Sequence, residues 1–266
     1  YDSSNGGFDS DIWKNSSSED INYLINKTPF KTSSSVLRDL MIRSILTTSN
    51  PPTKQNSEII TFLDMRINFL VKNGLFNEFY KLAILIEEKE WNDNIKLNLK
   101  NYYLLYNYKF LCKKDSLLFP ISDSYLTLYY DSFCNAMSSN KLALDLNIEL
   151  MNDAGTYDRN YITILESILN NTQLDRAEID SDLNLFHLNL LNKIQYPVEK
   201  LINESSPLEH KLFYLNNTKN SNLEKISIAE ELLQIGTIDT DTLDYLYRNF
   251  NLDKIESKNF EEITEL

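Results

Sequence analysis

The sequence predicts an all-α protein, an α-solenoid of stacked antiparallel helix pairs. Three observations carry the prediction. From Val36 onward, apolar residues recur at three- and four-residue spacing. The segments so patterned are separated by short polar breaks. The 266-residue chain holds only 5 Gly and 6 Pro, few for a sandwich or barrel that must turn every ~8–12 residues. Segments of about three to four turns, apolar on one side only, are marginal alone and must stack on their neighbours.

Residues 1–17 (YDSSNGGFDSDIWKNSS) hold two of the five glycines among Ser, Asn and Asp. They read as a flexible lead-in, with Trp13 packing on the first helix pair. Residues 18–266 read as a single helical-repeat domain. Val36, Leu37, Leu40, Met41, Ile45 and Leu46 form one helix face, with Ser33, Ser34 and Ser35 as candidate N-caps and Asn50-Pro51-Pro52 as the stop. A second helix runs from Ser57 along Ile59, Ile60, Leu63, Ile67 and Leu70 to the break at Asn73-Gly74. The segment LFNEFYKLAILIEE then returns antiparallel to it. Further helices are expected over 92–106, 108–117, 122–137, 139–151, 158–169, 181–195, 207–215, 221–235 and 240–250.

One segment conflicts with this grammar. Residues 142–150, LALDLNIEL, alternate apolar and polar as a half-buried strand does. The residue types are Leu, Ala, Asp, Asn and Glu, where a strand favours β-branched and aromatic ones, and no neighbour offers a pairing partner. The segment is therefore read as helix.

The charge balance narrows function. With 26 Lys and Arg against 39 Asp and Glu, net −13, the chain is a poor ligand for a phosphate backbone, and no nucleic-acid partner is expected. No stretch approaches the ~18 apolar residues of a membrane span. The start at Tyr1 and the acidic last segment suggest a piece of a longer chain.

Residues with chemistry are sparse. His187 sits in the apolar run LNLFHLNLL and reads as a core residue; His210, beside Glu209 near a helix start, reads as exposed. Asp180, Asp182 and Asn184 begin like a calcium loop, but Leu185 stands where the turn needs Gly and Leu191 where a bidentate Glu is needed. Asp239, Asp241 and Asp244 read as the cap and first turn of a helix. No metal, cofactor or catalytic residue is assigned. Cys112 and Cys134 pair if the protein is exported and are buried free thiols if it is cytoplasmic; spacing leaves both readings open. The 16 Tyr and 13 Phe belong first to packing between helices and second to an interface.

Two resemblances refine this. The segment NGLFNEFYKLAILI, with Gly74 at a turn and Ala83 at a crowded packing position, resembles a tetratricopeptide-like repeat, which implies a right-handed solenoid of degenerate repeats. The run DSYLTLYYDSFCNAMSSNKLALDLNIELMNDAGTYDRNYITILESIL, then LNLFHLNLLNKIQYPVEKLINESSPLEHKLF and IAEELLQIGTIDTDTLDYLY, resembles an uncharacterised alphaproteobacterial family of exported helical-repeat proteins, from Trp13 to about Phe250. That resemblance implies a periplasmic location and favours a Cys112–Cys134 disulfide, and it transfers no activity to any residue. The expected function is a non-enzymatic scaffold for protein–protein interaction. The alternative is the helical accessory region of a larger cell-wall-acting enzyme whose catalytic domain lies outside this chain.

Overall fold

The computed structural model describes residue 4 and residues 6–27, 34–52, 61–113, 124–155, 158–175, 178–179, 182–203, 205–217 and 223–250. Among the described residues there are thirteen α-helices and no strand. In chain order they are α1 (Ser18–Lys27), α2 (Ser35–Leu46), α3 (Phe62–Lys72), α4 (Phe76–Ala83), α5 (Asp93–Tyr106), α6 (Tyr108–Leu111) and α7 (Ser124–Ser138). There follow α8 (Lys141–Asp153), α9 (Arg159–Asn170), α10 (Leu185–Lys193), α11 (Leu208–Asn217), α12 (Leu223–Gln234) and α13 (Thr240–Arg248). The chain is all-α.

Local chemistry fixes six of the helix starts. Ser34, Thr61, Asn92, Asp158, Asn184 and Asp239 each accept a hydrogen bond from an amide of the first turn, each worth ~1 kcal/mol to its helix. The cap of α2 is thus Ser34 and that of α13 is Asp239, both as their sequence contexts require. Residues 142–150 are helical throughout. The expected caps and face residues Ser33, Ser57, Ile59 and Ile60 lie outside the described residues, as does Asp180.

Several expectations need correction. Helix α1 has no counterpart in the sequence reading, although Ser17 and Asp20 exchange hydrogen bonds in the manner of a capping box. Helix α4 stops at Ala83, and Glu88–Glu90 form a separate short 3₁₀ turn. Trp13 does pack on the first helices, as expected: it is buried with Ile21 of α1 and Phe62 and Met65 of α3 in a small satellite cluster, its ring edge-on to Phe62.

Long-range packing goes beyond stacked pairs. In a one-dimensional repeat array each unit meets only its neighbours. Here α5 packs on α10 and α11. The Asn189 amide donates to the Leu104 carbonyl, 85 residues away, and the Asn217 amide to the Leu105 carbonyl, 112 residues away. These two carbonyls belong to the last turn of α5, whose acceptors have no partner within the helix. The α3–α4 turn likewise meets the α12–α13 turn, where the Thr237 hydroxyl donates to the Asn73 carbonyl at 3.2 Å. Gly74 is required there: its φ is +72°, and a Cβ would lie 2.7 Å from the Thr237 methyl.

Helix direction follows from the same bonds. Asp158, the cap of α9, bonds to His187 in the first turn of α10 and to Tyr129 in the first half of α7. At the other end, Lys193 of α10 donates to the Met137 carbonyl of α7 at 3.0 Å, and Lys141, which starts α8, donates to the Leu169 carbonyl of α9 at 2.8 Å. Helices α7, α9 and α10 therefore run parallel and α8 runs against them. The antiparallel alternation expected of stacked pairs does not hold between α9 and α10.

Candidate functional site

The N-terminal ends of α7, α9 and α10 converge on a polar node. Asp158 lies at its centre because it caps α9, accepting from the Tyr161 amide at 3.1 Å. The same carboxylate accepts from the Tyr129 hydroxyl at 3.1 Å and faces His187 Nε2 at 3.1 Å. The Asn184 backbone N–H donates to His187 Nδ1 at 2.9 Å. Since Nδ1 accepts, the ring proton sits on Nε2 and points at Asp158. The Tyr161 hydroxyl donates to the Tyr129 carbonyl at 2.6 Å, Ser132 Oγ lies 3.1 Å from that hydroxyl, and the two tyrosine rings stack at 3.7 Å.

Electrostatics favour an anion at this point. Burial pushes the Asp158 carboxyl up, but the His187 hydrogen bond, the Tyr161 amide and the Tyr129 hydroxyl outweigh it and hold the group below its ordinary value. The converging helix N-termini act in the same direction. Burial raises the Tyr129 and Tyr161 hydroxyls far above the usual tyrosine range, so both stay neutral donors.

This node ties α7, α9 and α10 to one another. Both His187 nitrogens are occupied by interior groups, and Ser132 bonds to the Tyr129 carbonyl and the Tyr161 hydroxyl, not to the imidazole. Among the described residues of the node, no hydroxyl or thiol is hydrogen-bonded to the imidazole. His187 is buried, as its apolar context requires, at 2% exposure. His210 is half-buried where an exposed residue was expected, and burial pulls its pKa down.

The opposite end of the parallel helices is built on cations. Lys193 and Lys141 place ammonium groups on the last-turn carbonyls of α7 and α9, where the helix dipole is negative. Between the C-terminal turns of α9 and α10 lies an open cleft of about 570 Å³, lined in part by Asp175, Tyr196, Pro197 and Lys200. Cys112, just past α6, is disulfide-bonded to Cys134 of α7, with the Cα atoms 5.4 Å apart. Among the described residues, no three His, Cys, Asp or Glu side chains are placed to hold a metal ion.

Other buried charges are consumed locally. Arg66 donates to the Ile45 and Thr47 carbonyls at the end of α2 and lies over the Phe62 ring, with burial lowering its pKa to about 10. Lys211 is paired with both oxygens of Glu231 at 2.7 and 2.8 Å. The tyrosine-rich segments serve packing: Tyr80 stacks on Tyr102, and Tyr103 on Phe110.

One surface departs from this pattern of internal satisfaction. On α8, Leu142 is 88% exposed, Leu146 55% and Leu150 46%. Residues on a helix advance about 100° each, so Leu144, Ile148 and Met151 fall on one face and bury, while Leu142, Leu146 and Leu150 fall on the other. The strand-like alternation of LALDLNIEL is the projection of two opposed apolar stripes on one helix. Asp145, Glu149 and Asp153, all exposed, run beside the outer stripe. Sequence reading settled the helix and missed the second stripe; its signal was an apolar residue at every second position with helical residue types.

Comparison of the chain with protein-family models, with curated proteins and with solved structures finds no match.

Proposed function

We propose that this chain is a non-enzymatic helical scaffold that binds another protein in the bacterial envelope. The observation that carries the reading is the outer stripe of α8: an ordered row of leucines in water on a helix whose other face is fully packed. The polar node points the same way, because its best-placed titratable groups bond to one another. The Cys112–Cys134 disulfide supports an exported protein, since such bonds persist in oxidising compartments. No helix among the described residues is long and apolar enough to cross a membrane.

The finer architecture belongs to the same proposal. Sequential packing of α3 on α4 and of α7, α8 and α9 on one another is compatible with tetratricopeptide-like units of a right-handed solenoid. The return of α5 onto α10 and α11 favours a closed arrangement of those units over an open superhelix.

Photo-crosslinking from positions on the surface of α8, in a native envelope preparation, tests the function. A discrete protein adduct, captured reciprocally from the partner's side, is the expected result. Adducts no more abundant than those from a buried control position would remove the reading.

A further inference from the structure

The outer face of α8 also specifies what kind of partner fits it. Resting on the scaffold reading above, we propose that Leu142, Leu146 and Leu150, with the acidic row Asp145, Glu149 and Asp153 beside them, form a docking site for a cationic amphipathic helix of another protein.

The geometry supplies the apolar half of the match. Leucines four residues apart make a ridge nearly parallel to the helix axis, and a partner helix packs against such a ridge with its own apolar residues at three- and four-residue spacing. Leu146 is central, with Leu142 and Leu150 one turn to either side. Ala143 and Asn147 border the ridge on the side toward the core.

Charge supplies the other half. Relative to Leu142, the side chains of Asp145, Glu149 and Asp153 project within about 60° around the helix, so three carboxylates line one edge of the leucine row. Lys141 does not offset them at the ridge, because its ammonium is placed on the Leu169 carbonyl at 2.8 Å. A partner with lysines or arginines along one side of its apolar face meets opposite charge along the whole edge. The same row disfavours two other occupants. A second copy would bring three more carboxylates to the contact on a chain of net charge −13, and an anionic lipid surface repels them.

The test uses the full chain and two fluorescent peptides of about 18 residues, one with a leucine stripe and lysines elsewhere, one with the same stripe and glutamates. Fluorescence anisotropy should show binding of the lysine peptide and not of the glutamate peptide. Leu142→Ser/Leu146→Ser/Leu150→Ser should weaken lysine-peptide binding at least about tenfold, a loss of ~1.4 kcal/mol, with unchanged far-UV circular dichroism. Asp145→Lys/Glu149→Lys/Asp153→Lys should reverse the preference in favour of the glutamate peptide, a gain that unfolding or general acidity cannot produce.

Equal lysine-peptide binding by wild type and the serine variant overturns the proposal. So does a dimer, seen by light scattering, that the serine variant abolishes, or anionic-vesicle binding that depends on the same leucines. If the peptides fail but a crosslinked partner is retained by the serine variant, the docking site lies elsewhere and the scaffold reading stands. If no partner is captured at all, both fall.

Discussion

The two ends of the parallel helices α7, α9 and α10 solve one electrostatic problem with opposite charges. At the N-terminal end, amides without intrahelical partners meet a half-buried carboxylate, Asp158, which also serves the Tyr129 hydroxyl and the buried His187 ring. At the C-terminal end, carbonyls without partners meet the ammonium groups of the exposed Lys141 and the half-buried Lys193, beside an open cleft. The dipole direction dictates the sign of the charge; burial dictates how much the structure depends on it. The N-terminal end, where one carboxylate serves three donors from three helices, should therefore be less tolerant of change.

The largest expected effect is at the N-terminal end. Asp158→Ala removes the α9 cap and leaves the His187 Nε2–H and the Tyr129 hydroxyl without their acceptor, which should cost about 3–4 kcal/mol in urea unfolding. A loss below about 1 kcal/mol would contradict the account of the node. Acid titration sharpens it. A carboxyl whose native pKa lies below its unfolded value stabilises the fold above the unfolded value and loses that contribution as pH falls through the native one. Wild type should accordingly lose stability as pH drops below about 4, and Asp158→Asn should remove part of that slope.

The disulfide comes next, since it fastens α6 to α7. Cys112→Ser/Cys134→Ser should lower unfolding stability by about 3 kcal/mol, in keeping with the loop it closes, measured against the unreduced wild type. Lys193→Met removes bonds to the Met137 carbonyl and the Ser139 hydroxyl and should cost about 1 kcal/mol. The smallest effect is expected at Lys141→Met, about 0.5 kcal/mol, because water reaches that site. Equal losses at Asp158 and Lys141 would dissolve the contrast between the two ends.

How far these features could be read from the chain varies with how local they are. Asp239 and Ser34 cap helices within three residues of themselves, and both positions were readable. The helical state of 142–150 followed from residue types despite the alternation. His187 was readable as a buried residue, but its partner Asp158 stands 29 positions away, and nothing in either local context points to the other. Asn189 and Asn217 look like ordinary helix-surface asparagines until they meet the end of α5. Gly74 signalled a turn; that the turn needs Gly because Thr237 presses on it came only from the packing.

The sequence by itself determined most of the helices, the caps at Ser34 and Asp239 and the buried stripes, because propensity, capping and 3.6-residue periodicity act within a few positions of the chain. Tertiary structure decided the rest. It made α9 and α10 parallel, folded α5 onto α10 and α11, assembled the polar node, and left one of the two leucine stripes of α8 in water. Those outcomes depend on contacts between residues far apart in sequence, where many pairings satisfy the local rules equally well and only the joint packing of all helices selects one.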